Sequence, residues 1–379
     1  MSLRRPRCTP GPASSLPRAS WCIAAAALLA ALSLPVQAEG GGEPLSTKRP
    51  AAADGTQVAQ AWLSRMRTAA GSYSYQGTMV FTAGGVVASS RVGHYVVGDD
   101  AFERVEALDG AGQRSFRHND LVMSFWPQRQ VVTVSRRDAA ALSPLGTVPE
   151  ARFREHYETR QRGLDRVAGR LTHVLLLSPR DTLRFAQRLW VDVESGLMLR
   201  ADVLGARGEV LESTSFTDIE IGVRPRASSV QAAMRETEGW QLVKMQSTPT
   251  QLAEEGWRLD DLPEGFQLLG CVRKPVTWGE PARDLAEGSG SARPAVPGPS
   301  SAMTDESTTL QVIYSDGLAR VSVFIEPVRP GRHARSLVTQ MGATHALLQN
   351  RDDRWRLVLM GDVPVATLKR FAAALQRVP

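Results

Sequence analysis

Cysteine is almost missing from this chain: three in 379 residues, two of them, Cys8 and Cys22, within the first 22. The one later thiol, Cys271, excludes an internal disulfide or a cysteine-built zinc cage beyond that point, so the fold must rest on buried apolar surface. Cys271 follows the apolar stretch 266–269 and reads as a buried, inert thiol. Histidine is sparse as well. His94, His118, His156, His173, His333 and His345 never take the spacing of metal ligands. There is no Gly-x-Ser-x-Gly elbow, no Walker loop and no Gly-x-Gly-x-x-Gly after a strand, and Gly288-Ser289-Gly290-Ser291 has loop composition. No catalytic residue, metal or cofactor is therefore expected.

Long apolar runs are lacking too. The run from Trp21 to Leu34 ends at Pro35, short of the roughly twenty residues that cross a bilayer. It follows Arg4, Arg5, Arg7 and Arg18 and precedes Val36-Gln37-Ala38, the order of a secretory signal cleaved near Ala38. Those four arginines have no acidic counterpart in the segment, so its removal lowers the net charge from +6 to +2. A basic surface for nucleic acid is thereby excluded as the organising feature.

What the sequence has in quantity is alternation. From Tyr73 to Arg137 apolar and polar residues alternate in six runs, each ended by Gly, Asn-Asp or Pro, which predicts one continuous antiparallel meander. Three further strands follow between Arg188 and Ile221, joined by the turns Glu194-Ser195-Gly196 and Ala206-Arg207-Gly208. Ahead of the meander, Val58, Trp62, Met66 and Ala69 lie at helical spacing, with Thr56 as cap and Gly71 as stop. The segment around Phe153, His156 and Tyr157 reads as a short helix, and strand signals resume at Arg170. The expected fold class is α+β: a large curved antiparallel sheet, a half-barrel with helices, then a smaller α+β domain.

The division that follows is a signal peptide over 1–38, a flexible leader over 39–55, a first domain over 56–223, a linker over 224–255 and a second domain over 256–379. Residues 280–307, rich in Pro, Gly and Ser, form a flexible insert within the last. The second domain has a strand pair across Ser315-Asp316-Gly317 and a final helix after Pro364 carrying Val365, Leu368, Phe371, Ala372, Leu375 and Val378 on one stripe.

The stretch from Trp190 to Glu212, WVDVESGLMLRADVLGARGEVLE, resembles the RseB/MucB family of periplasmic regulators of the envelope-stress sigma factor. Tyr314-Ser315-Asp316-Gly317-Leu318, and Gly361-Asp362-Val363-Pro364 leading into Thr367-Leu368-Lys369-Arg370, agree with it in order and spacing. The resemblance implies a first domain shaped like lipoprotein carriers and no catalysis. It also implies a role: binding the periplasmic part of a membrane-spanning anti-sigma factor, shielding it from proteolysis and releasing it on sensing lipopolysaccharide or another acylated ligand. A lipid or lipoprotein carrier is the alternative reading, and a homo-oligomer is left open.

Two sets of residues are candidates for those roles. Tyr73, Tyr75, Met79, Phe81, Phe102, Phe125, Trp126, Trp190 and Met198 would line an apolar cleft, with the four from Tyr73 to Phe81 on one face and Gly77 as a bulge. Partner binding would fall to a strand edge near Tyr314 or Val323 and to Arg351 and Arg354, within a basic group that includes Arg320, Arg329, Arg332, Arg335 and Arg356.

Overall fold

The computed structural model describes residues 55–136, 154–275, 308–328, 336–352 and 354–378. The expected signal, leader and Pro/Gly/Ser-rich insert, together with His333, Arg329, Arg332 and Arg335, lie outside them. Six strands precede Arg137, as the alternation predicts: β1 (Tyr75–Ala83), β2 (Val86–Val97), β3 (Asp100–Ala107), β4 (Arg114–His118), β5 (Leu121–Trp126) and β6 (Val131–Arg136). A second meander follows: β7 (Tyr157–Val167), β8 (Arg170–Pro179), β9 (Ala186–Asp192), β10 (Met198–Leu204) and β11 (Val210–Ile221). The two meanders share one sheet because β1 pairs with β2 on one side and β11 on the other. The first six strands form the one continuous meander that the alternation predicts. The helix expected around His156 covers 154–156 among the described residues, and Tyr157 already begins β7. With β12 (Gln241–Met245) parallel to β6, the sheet has twelve strands in the order β12-β6-β5-β4-β3-β2-β1-β11-β10-β9-β8-β7 and stays open.

Both faces of this sheet are covered. Helix α1 (Gly55–Ser72) buries Leu63, Met66, Ala69 and Ala70 against Tyr75, Met79, Leu175, Leu189, Val191 and Phe216. The helix passes Gly71, where a stop was expected, and closes instead with the Ser72 hydroxyl donating to the Thr68 carbonyl at 2.8 Å. Helix α2 (Ala227–Arg235) sets the fully buried Val230 among Tyr95, Phe102, Phe116, Met123, Phe125 and Val132 on the opposite face. Residues 227–245, read as linker, therefore complete the first domain. Strand β12 buries no residue fully and pairs with β6 through its main chain, which leaves only a weak alternation to detect.

The second sheet has the order β13-β15-β16-β17-β20-β19-β18. Its strands are β13 (Thr248–Pro249), β15 (Gln267–Pro275), β16 (Thr308–Ser315), β17 (Arg320–Pro327), β18 (Leu337–Met341), β19 (Thr344–Arg351) and β20 (Trp355–Gly361). Helix α3 (Val365–Ala374) buries Leu368 and Phe371 on Val312, Val321, Val323 and Leu359, each such side chain contributing about 1.5–3 kcal/mol. It ends before Leu375, which opens β21 (Leu375–Arg377) instead of extending the helical stripe. That strand pairs with β14 (Trp257–Leu259), and the Arg377 guanidinium lies 5.4 and 5.1 Å from the rings of Trp257 and Trp355.

Candidate functional site

Strand alternation puts His94, Glu103 and Arg117 in one cross-strand row on the α1 face, with Tyr75 beside them. All four are buried. His94 Nδ1 lies 3.3 Å from Glu103 Oε1, Arg117 Nη2 donates to the same oxygen, and the Tyr75 and His94 rings stack at 5.2 Å. Burial pushes the Glu103 carboxyl up, but the bonds from His94 and Arg117 outweigh it and hold the pKa down at about 2. Burial, then the Glu103 charge, keeps the Tyr75 phenol well above its ordinary value.

Two to four residues along the same strands, the face opens into a pocket of about 300 Å³. Its wall is made of small side chains: Val86, Ala88 and Ser90 from β2, Val105 and Ala107 from β3, and Gln113 and Ser115 around the start of β4. Gln113 is buried and its side-chain nitrogen has no hydrogen-bond partner. Asp109 also lines it, its Oδ2 accepting from the Ser89 N–H and hydroxyl at 2.6 and 2.5 Å, so the pocket offers largely apolar shelter with one free donor at Gln113.

The same face receives the second domain at two places. The loop between β8 and β9 reaches across with Leu183 and Arg184. The Leu183 carbonyl accepts from Thr367 Oγ1 at 2.7 Å, and Arg184, with its side chain fully buried, lies 3.1 Å from Asp316 Oδ2 and bonds the Glu264 carbonyl. Tyr157 donates to the same Asp316 oxygen at 2.8 Å, while Asp316 Oδ1 accepts from the main chain of Leu318 and Ala319. Burial pushes the Asp316 carboxyl up against the pull of Arg184. At the second place the β18–β19 turn rests on β1: a Cβ on Gly342 would come 2.6 Å from that of Ala83 and 3.1 Å from the Leu211 carbonyl. Beside it Glu212, the register partner of Ala83, accepts the Ala343 N–H and faces Asp362. Burial and then the Asp362 charge push Glu212 up to about 7, and burial pushes Asp362 up to about 6.

The nine aromatic and methionine candidates are not brought together. Tyr75, Met79 and Met198 are packed in the core with α1, and Phe81 joins Ala83 beside the pocket. Phe102 and Phe125 lie on the other face under α2. Trp190 is buried in the same core cluster as Tyr75, with the guanidinium groups of Arg188 and Arg200 at 5.1 and 4.3 Å from its ring, and donates to Asp165 at 2.9 Å. Tyr73 precedes β1 and is 37% exposed, and Trp126 is half-buried without lining the pocket. Gly77 is no bulge: it pairs in register with Ile219, it leaves room for the Asp218 carbonyl that a Cβ would meet at 2.2 Å, and the irregularity falls at Thr217.

The partner candidates also move. β16 and β17 are interior strands paired on both sides, so Tyr314 and Val323 are core residues and offer no free edge. Arg351 caps the end of α3, donating to the Ala372 carbonyl at 3.0 Å, and Arg354 is exposed. Cys271 is buried, and burial followed by the charges of Glu255 and Glu254 pushes its thiol up to about 11. Sequence reasoning missed the His94–Glu103–Arg117 row, Gln113 and Arg184. Asp316 and Asp362 lay inside quoted motifs without a role; the first bolts the domains together, and the second accepts the Arg320 N–H at 2.9 Å.

Residues 58–234 match the MucB/RseB N-terminal domain and residues 251–376 the MucB/RseB C-terminal domain. The sigma factor AlgU regulatory protein MucB of Pseudomonas aeruginosa is 31% identical over 332 residues, covering 85% of this chain and 92% of that protein. The sigma-E factor regulatory protein RseB of Escherichia coli K12 is 25% identical over 322 residues, covering 84% and 91%. The structure of MucB in complex with MucA(peri) aligns at a TM-score of 0.60 and 26% identity, over 85% of this chain and 99% of that one. The Pseudomonas aeruginosa MucA/MucB complex aligns at 0.62 and 27% over the same shares. With both domains matched in order over most of its length, the chain belongs to the MucB/RseB family.

Proposed function

We propose that this chain is a non-enzymatic periplasmic regulator of a sigma factor: it holds the periplasmic segment of a membrane anti-sigma factor, shields it from proteolysis and lets go when an amphipathic lipid occupies the first domain. The observation that carries the regulatory role is the alignment of both domains, end to end, with MucB bound to MucA(peri). A carrier would need the first domain alone. The buried row and the pocket hold charge pairs and shelter, which suits binding and not bond-breaking.

The pocket supports the lipid part of the reading. At roughly 30 Å³ per methylene-sized unit it takes about ten carbons. Burying them contributes about 8 kcal/mol, of which association consumes at least about 4. A single tail is thus held only near millimolar strength, and a carbonyl accepting from Gln113 would add to it. The test is titration calorimetry of the mature chain with the periplasmic segment encoded beside its own sigma factor. Saturable one-to-one binding, weakened by lipopolysaccharide, is expected. No binding removes the regulatory reading, and binding indifferent to lipid removes the release mechanism.

A further inference from the structure

The pocket and the second domain meet at one two-residue turn. Ala83 pairs with Val86 across Gly84 and Gly85, both of which have positive φ, the geometry that holds adjacent strands in a tight hairpin. Ala83 and Gly84 face the second domain, and a Cβ on Gly84 would already lie 3.3 Å from the Gly342 nitrogen. Gly85, Val86 and Ala88 line the pocket. Ala83, Val86 and Ala88 share a sheet face, so an occupant over Val86 sits about one strand spacing, roughly 4.8 Å, from the β18–β19 turn seated on Ala83. Two objects of chain thickness at that separation have no slack between them.

We infer that the Gly84–Gly85 turn couples the two sites antagonistically, so that filling the pocket and seating the β18–β19 turn on Ala83 oppose each other. This rests on the pocket being the ligand site, as proposed above. Coupling of this kind is reciprocal: whatever factor a ligand takes from the domain contact, loosening the contact returns to the ligand. The contact is suited to yielding. It places the carboxylates of Glu212 and Asp362 opposite each other, with Ala343 N–H and Arg320 N–H as their main-chain donors.

The test uses the mature full chain and 11-(dansylamino)undecanoic acid, followed by fluorescence at pH 8. Gly342→Val, whose side chain would collide with Ala83, should tighten the probe by at least about fivefold, the lower end for coupled sites. Glu212→Gln, which removes one of the opposed charges and strengthens the contact, should weaken it by a similar factor. Because Gly342→Val can also disturb the hairpin itself, the conservative Glu212→Gln keeps the inference exposed. Ala107→Trp, filling the pocket, is the control. If Ala107→Trp leaves binding intact, the probe is elsewhere and the pocket reading fails. If it abolishes binding while the other two variants match the wild type, or shift it in the reverse directions, the coupling is wrong and the pocket stands.

Discussion

Replacing Glu212 by glutamine should tighten the contact between the domains above pH 7 and change it little at pH 4.5. The carboxyl lies between β11 and the β18–β19 turn, facing Asp362 and, through that residue, Arg320, with Ala343 N–H as its donor. Its pKa of about 7 in the contact exceeds its ordinary value of 4.5. A group raised in this way carries no penalty below the lower value, and the penalty grows as pH climbs, becoming complete above the higher one. The difference of about 2.5 units corresponds to about 3.4 kcal/mol at 1.36 kcal/mol per unit, and partial solvent access brings it to about 2 kcal/mol. Gln keeps the acceptor for Ala343 N–H and discards the charge. Amide exchange of the 341–344 segment reads the opening of this contact directly. At pH 8 the variant should be about 30-fold better protected after correction for intrinsic rates, with a difference of less than about threefold at pH 4.5. Equal protection in both proteins at pH 8 would refute the argument.

Two further outcomes follow from the buried charges. Asp316→Ala leaves the fully buried Arg184 with the more distant Asp181 as its carboxylate partner, 3.4 Å away, and should cost about 3–5 kcal/mol in guanidinium unfolding; a loss below about 0.5 kcal/mol, the scatter of a surface substitution, would mean that Asp181 and water suffice for Arg184. Glu103→Gln acts with the opposite pH sign. The native carboxylate, held at about 2, stabilises the first sheet above pH 4.5 by about 3 kcal/mol and loses that contribution as pH falls toward 2. Thermal unfolding of the variant should therefore be lowered at pH 7 and converge on the wild type near pH 2.

Strand number was legible because every strand from β1 to β6 keeps one apolar set in alternation and ends at a turn residue. The face each residue occupies was not. A sheet covered by α1 on one side and α2 on the other buries aromatics on both, so Tyr75 and Phe102 look alike in sequence and lie on opposite surfaces. The pocket escaped for a related reason: Ala88, Val105, Ala107 and Ser115 make space by being small, and smallness has no periodic signature. The domain bolt joins Tyr157 and Asp316 across 159 positions, beyond any local pattern. The quoted motifs were sound as family markers because their polar residues build turns: Asp192 accepts from the main chain and hydroxyl of Ser195, and Ser315 bonds Ala319 and Gly317.

The β14–β21 ladder sets a timetable for biogenesis. Trp257 cannot dock under Arg377 until the ribosome has delivered β21, which follows every other described strand. During synthesis the second domain therefore waits with an unfinished seam after the first sheet has received all its strands. A chain truncated before β21 would leave β14 unpaired and Trp257 without its guanidinium cover, so the last few residues decide when the second domain is complete.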